Sequence, residues 1–222
     1  MHMQEVRIPC GYTSLSGDLT VPEDPIGIVI FAHGSGSSRL SSRNRSVASR
    51  LQQHGIATLL LDLLTADEER SEARDGHLRF DIALLSSRLL CATEWLRAQP
   101  NFRDEAIGFF GASTGAGAAL VAASKRTDIA CVVSRGGRPD LAGPALRDVT
   151  SPTLLIVGEA DPVVMRLNRE AEHYLQVEKS ILTIPRATHL FEEAGALEQV
   201  ADAAAEWFVR WFAAESETAR AA

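Results

Sequence analysis

The chain has 222 residues, 45% of them hydrophobic and 23% charged, with a formal net charge of −7. That length and apolar content predict one domain with its own core. The acidic balance excludes a nucleic-acid surface, and no apolar stretch approaches the ~20 residues of a membrane span.

Residues 6–10 and 15–21 read as two short strands joined by Gly11-Tyr12-Thr13-Ser14, an antiparallel hairpin. Pro22 and Pro25 bracket a turn into residues 26–32, which are nearly all apolar, as a strand buried on both faces should be. His33-Gly34-Ser35-Gly36-Ser37-Ser38 follows at that strand's C-terminal end. Arg39, Arg43 and Arg45 come next, then a helix over 46–54 with Gly55 as its C-cap. Residues 57–61 form another buried strand ending at Asp62, and residues 65–76 read as a charged loop. From 77 to 99, Phe80, Leu84, Leu85, Leu89, Trp95 and Leu96 recur at helical spacing until Pro100 stops the helix.

The apolar run 106–110 then turns at Gly111-Ala112-Ser113-Thr114-Gly115 into an alanine-rich helix. These five residues fit Gly-x-Ser-x-Gly, the nucleophile elbow. A serine at the tip of a tight strand-to-helix turn has its hydroxyl pushed clear of the main chain. The flanking glycines let strand and helix pass closely, and the first helical turn offers unpaired N–H groups. Residues 129–134 are the next apolar strand, leading into Arg135-Gly136-Gly137-Arg138-Pro139. Residues 152–158 are a further strand ending in Glu159-Ala160-Asp161-Pro162, and a polar helix covers 164–175. Residues 179–184 are the last strand, followed by Pro185-Arg186-Ala187-Thr188-His189, and 197–212 close the chain as an amphipathic helix. The domain is expected over residues 1–213, with a frayed tail over 214–222.

Strands alternating with helices after a hairpin mean an α/β fold, a mainly parallel sheet between helical layers. Ligands bind such sheets outside the C-terminal strand ends, where 33–38, 111–115, Asp161 and His189 all fall. A serine hydroxyl needs a base within reach, and the base needs an orienting acid. Ser113, Asp161 and His189 occur in the chain order of nucleophile, acid and base used on this kind of sheet. Glu159 competes for the acid role, and the register of the turn favours Asp161. His33, among glycines, suits a structural role. The Gly/Ser loop lacks the Lys-Ser/Thr ending of a phosphate-binding loop. It suits an oxyanion hole better, with the backbone N–H groups of Ser35 and Thr114 as donors.

On these residues, together with Arg43-Asn44-Arg45, Asp62-Leu63-Leu64-Thr65 and Thr188-His189-Leu190-Phe191, the chain resembles the α/β-hydrolase superfamily. Within it, the chain resembles the dienelactone-hydrolase-related small hydrolases. The resemblance implies a three-layer α/β-hydrolase fold and cleavage of an ester, lactone or thioester through an acyl-Ser113 intermediate; separately, no metal or cofactor is expected. Dienelactone hydrolases carry a cysteine nucleophile where this chain has Ser113, which favours ordinary ester chemistry. Residues 135–151 are too few for a helical cap domain, so an open, shallow pocket is expected. Arg43 and Arg135, like the other loop arginines, are candidates for binding a substrate carboxylate, with solvated loop charge as the competing reading.

The expected partner is a small ester-type molecule, not nucleic acid or membrane, and a homodimer is left open. Acyl transfer, cyclisation, a lyase step and a non-catalytic scaffold remain alternatives, because fold and triad do not fix chemistry. Cys10, Cys91 and Cys131 are widely spaced and form no CxxC pair. With no signal peptide visible, the expectation is free thiols in a reducing cytoplasm.

Overall fold

The computed structural model describes residues 2–221, without the side chains of 72–75 and 217–221. Eight strands form one sheet: β1 (His2–Cys10), β2 (Thr13–Val21), β3 (Ile28–Ala32), β4 (Ala57–Leu61), β5 (Ile107–Ala112), β6 (Ile129–Arg135), β7 (Thr153–Gly158) and β8 (Lys179–Ile184). Their spatial order is β1-β2-β4-β3-β5-β6-β7-β8. The β1–β2 hairpin and the β2–β4 pairing are antiparallel, and every other pairing is parallel.

Among the described residues there are six α-helices: α1 (Ser42–Gln53), α2 (Ala66–Asp75), α3 (Ile82–Arg97), α4 (Thr114–Ala123), α5 (Pro162–Tyr174) and α6 (Ala196–Ala221). Strands β3 to β7 are buried along their whole length, which is why they read as continuous apolar runs. Alternate residues of each strand feed two cores. On one face Ile30, Leu59 and Phe109 pack with Leu89 and Leu96 of α3 and Leu120 of α4. On the other, Phe31, Phe110 and Val133 pack with Val47 and Leu51 of α1 and Phe208 and Phe212 of α6. The segment between β6 and β7 holds 3-10 turns over Pro139–Asp148 and no cap domain.

Three expectations need correction. Within the expected loop 65–76, Ala66–Asp75 form a helix. Thr65 and Glu68 form a reciprocal capping box, in which Thr65 N–H donates to Glu68 Oε2 at 2.7 Å and Glu68 N–H donates to Thr65 Oγ1 at 3.2 Å. The buried Arg88 of α3 holds the other Glu68 oxygen at 2.7 Å, fixing α2 to α3 without an apolar face. Helix α1 starts four residues earlier than 46, where Ser41 Oγ accepts the Asn44 N–H.

The third correction concerns the cysteines. Cys10, at the end of β1, and Cys91, in α3, are joined in a disulfide with Cα atoms 5.5 Å apart, and Cys131 is the buried free thiol. Helix α3 packs against β1, so residues 81 apart in sequence meet. The argument for a reducing compartment from unpaired cysteines therefore falls. Among the described residues no helix is long and apolar enough to cross a membrane. The tail expected over 214–222 falls largely outside the described side chains, and the backbone of α6 runs helical to Ala221.

Candidate active site

Ser113 stands between β5 and α4 with φ 50° and ψ −121°. A non-glycine residue in this region is strained, and such strain persists only where the surroundings enforce it. Here they do. Ser113 N–H donates to the Arg135 carbonyl at 3.2 Å, and the Ser113 carbonyl accepts from Arg138 N–H at 3.0 Å and Ala116 N–H at 3.1 Å. The crossing of strand and helix is as tight as the motif requires. A Cβ on Gly111 would lie 2.4 Å from Ala116 Cα, and one on Gly115 would lie 2.3 Å from the Ala32 carbonyl oxygen.

Asp161 is the N-cap of α5, with Pro162 in the first helical position. Its Oδ1 accepts the Val164 N–H at 3.3 Å, and its Oδ2 accepts from His189 Nδ1 at 2.7 Å. One oxygen holds the helix and the other orients the imidazole. With a carboxylate on Nδ1, the neutral ring presents an unprotonated Nε2. Glu159, the competing acid, is spent elsewhere: its Oε2 accepts the Arg186 N–H at 2.8 Å.

His189 sits in the loop after β8, seated on Gly136. There φ is +51°, and a Cβ would come within 3.2 Å of the His189 carbonyl and of the Phe191 ring. The same loop is tied down by Thr188 Oγ1 donating to Glu193 Oε1 at 2.7 Å and by Arg43 Nη1 donating to Glu192 Oε1 at 3.2 Å. Ser113, Asp161 and His189 line one cleft of about 500 Å³, together with Arg138, Val163, Val164, Arg166 and Leu167.

The Gly/Ser loop approaches from the other side of the nucleophile. Gly34 passes so close that a Cβ there would lie 3.1 Å from Ser113 Cβ. Thr114 N–H opens α4 as one of its unpaired N-terminal donors. The Ser35 N–H is engaged, donating to Thr114 Oγ1 at 2.8 Å. The buried Thr114 hydroxyl keeps its own hydrogen without an acceptor among the described residues. His33 anchors this loop: its Nε2 accepts Leu63 N–H at 3.1 Å, so Nδ1 carries the hydrogen, given to the Gly34 carbonyl at 2.9 Å. Burial lowers the pKa of His33, against the upward pull of that carbonyl and of Asp62.

Beyond the loop lies a second pocket of about 530 Å³, bounded by Ser35, Leu40, Leu63, Leu64, Leu85 and Thr114, with Glu69 of α2 at its edge. The sequence reading missed this pocket because it had no helix at 66–75 to serve as a wall.

The loop arginines divide by partner. Arg39 donates to Asp62 through its backbone N–H (2.8 Å) and Nη1 (2.6 Å), and to Asp18 through Nε (3.0 Å). Arg45 reaches Asp18 at 3.1 Å, and Arg138 grips Asp140 with two bonds of 2.8 and 2.7 Å. These are framework contacts. Arg135 is buried, and its Nε and Nη1 have no acceptor among the described residues.

An eight-stranded, mostly parallel sheet with a strained serine after its central strand and a carboxylate–imidazole pair at the same edge defines an α/β-hydrolase fold. The model of the dienelactone hydrolase family matches residues 15–216, and the chain belongs to that family. It is similar to the solved dienelactone hydrolase from Anabaena variabilis, with 55% identity and a TM-score of 0.93, covering 95% of this chain and 98% of that one. Est1E from Butyrivibrio proteoclasticus shares the fold at 17% identity, with a TM-score of 0.79 over 94% of this chain and 99% of that one. Among curated proteins, a Mycobacterium tuberculosis relative named "Putative phosphoribosyl transferase" is 56% identical over 207 residues, which is 93% of this chain and 46% of the relative. The chain thus spans about half the length of the curated relatives it matches.

Proposed function

We propose that this chain is a serine hydrolase that cleaves a carboxylic ester, lactone or thioester through an acyl-Ser113 intermediate. The observation that carries the reading is the 2.7 Å Asp161–His189 pair in the same cleft as a serine held at φ 50°. His189 Nε2 takes the Ser113 proton as Oγ attacks the carbonyl carbon, and Asp161 stabilises the imidazolium. The tetrahedral oxyanion forms at the N-terminus of α4, against Thr114 N–H. Ser35 N–H acts there through the Thr114 hydroxyl that it polarises, and that hydroxyl's unspent hydrogen is a second donor. Each such donor is typically worth ~2.7–4 kcal/mol in the transition state. His189 then protonates the leaving oxygen or sulfur, and water repeats the sequence on the acyl-serine.

The transferase name belongs to relatives about twice as long as this chain, and nothing in the Ser113 cleft requires it. A fluorophosphonate probe is expected to label the protein and to fail on Ser113→Ala, with short p-nitrophenyl esters turned over only by the unmodified serine. A folded protein that takes no label refutes the reading. Product analysis with competing alcohols or amines separates hydrolysis from acyl transfer.

A further inference from the structure

Helix α5 turns Val164, Asn168 and Ala171 into the protein. Beside that buried row runs a second one that the core does not use. Val163, Leu167 and Tyr174 stand at i, i+4 and i+11, within one narrow arc of the helix. Val163 is 60% exposed and Tyr174 47%. At the rise of an α-helix the row is about 16 Å long. It begins in the catalytic cleft, which Val163 and Leu167 line together with Ser113 and His189. It ends in a further cavity of about 430 Å³, lined by Pro144, Leu146, Leu167, Ala171 and Tyr174. Leu167 borders both hollows. The far one stays open because the 3-10 turns after β6 break at Gly143, where φ is +52° and a Cβ would meet nothing within 4 Å. Arg147 lies at its Tyr174 end, the guanidinium carbon 5.4 Å from the centre of that ring.

A cleft and a cavity of ordinary ligand size, joined by an exposed apolar row, make one groove. Asp140 and Glu170 border its far part. Their carboxylates oppose an anionic tail, and the lining favours an apolar one. The Gly/Ser loop lies on the other side of Ser113. The substrate arm that enters the α5 groove is therefore the one that departs with the proton from His189.

We infer that the α5 groove is a subsite for the alcohol or thiol portion of the substrate, and that this portion is an elongated, uncharged alkyl or aryl chain. Its place in the reaction rests on the hydrolase reading. The affinity of the groove for such a chain does not.

The test compares kcat/KM on three esters. Phenyl acetate is the reference, 4-(3-phenylpropyl)phenyl acetate lengthens the leaving group, and phenyl 5-phenylpentanoate lengthens the acyl group. A para-alkyl chain barely alters the acidity of a phenol, so the leaving groups are matched. Wild type is expected to prefer the longer leaving group over phenyl acetate by about 10- to 100-fold, the scale of burying one large apolar side chain. Leu167→Asp should cut that preference by about tenfold or more and leave the ratio of phenyl 5-phenylpentanoate to phenyl acetate unchanged. Tyr174→Asp, at an exposed position, is read the same way if the Leu167 variant does not fold. A wild type without the preference overturns the proposal, as does a folded variant that keeps it or that loses both ratios alike.

If wild type turns over none of the esters, the hydrolase reading fails and the groove is judged by binding of the alcohol itself. In titration calorimetry 4-(3-phenylpropyl)phenol is expected to bind wild type, and to bind Tyr174→Asp about tenfold more weakly. Equal affinities, or no binding to wild type, overturn the groove.

Discussion

Opening the Cys10–Cys91 disulfide should cost much of the protein's stability while leaving the Ser113 cleft intact. The bond closes a loop of 81 residues, from the outermost strand across β2, β3 and β4 into α3. Loop-closure entropy for that length is about 15 cal/mol/K, or about 4.5 kcal/mol at 25 °C. For a chain of this size, 1 kcal/mol moves Tm by roughly 2–4 °C, so reduction should lower Tm by roughly 9–18 °C. The native hairpin keeps its own anchors, since Ile8, Leu15 and Leu19 are buried in the core. Most of the loss is therefore expected in the entropy of the unfolded chain rather than in native contacts. Equilibrium urea unfolding of wild type with and without reductant, beside Cys91→Ser, measures it. Thiol titration of the unreduced, denatured protein should find the single thiol of Cys131. Three reactive thiols, or the same urea midpoint in all three samples, would refute the reasoning.

Gly115→Ala should disrupt the elbow, because its Cβ meets the Ala32 and His33 carbonyl oxygens at 2.3 and 2.4 Å. Backbone cannot yield as a side chain does, so a loss of about 3 kcal/mol or more is expected in urea unfolding. Thr114→Val should lower kcat by about 100-fold with little change in KM, and Thr114→Ser should restore most of it; equal rates in Val and wild type would remove the hydroxyl from the oxyanion site. Stability should fall with acid on account of His33, whose folded pKa lies below its unfolded value. That contribution is complete above the unfolded pKa near 6.5 and is lost as pH drops toward the depressed one. Unfolding free energies measured from pH 8 to 5 should lose part of this slope in a folded His33→Gln variant.

Much of this was legible in the sequence, and the physical reasons for what was not are specific. Strands β3 to β7 are buried on both faces and announce themselves as unbroken apolar runs. The elbow is legible because its glycines answer a local steric need. Asp161 and His189 could be placed at one sheet edge from chain order, although the 2.7 Å contact between them depends on two loops folding together. Helix α2 escaped because it has no apolar stripe to detect. Its signal was the Thr65–Glu68 capping box, together with Asp67, Glu68 and Glu69 in its first turn. The disulfide escaped because its partners sit in elements that meet only when α3 lies on β1. The arginines look alike along the chain, and what distinguishes Arg135 from Arg39 is that its Nε and Nη1 meet no acceptor among the described residues, a property of space alone.

The stretch 135–138 has a consequence for how this protein could change its preferences. Arg135 receives the Ser113 amide, Gly136 seats the imidazole loop, Gly137 accepts a 3.0 Å bond from Asn168 of α5, and Arg138 holds the Ser113 carbonyl. The nucleophile, the imidazole loop and the helix that Asp161 caps thus all touch one short piece of main chain, in addition to the bonds that tie the Asp161 and His189 loops to each other. The rim of the cleft can then be rebuilt by exchange at Val163, Arg166 or Leu167 without retuning the reactive trio, whereas a single insertion between 135 and 138 would misalign all of it at once.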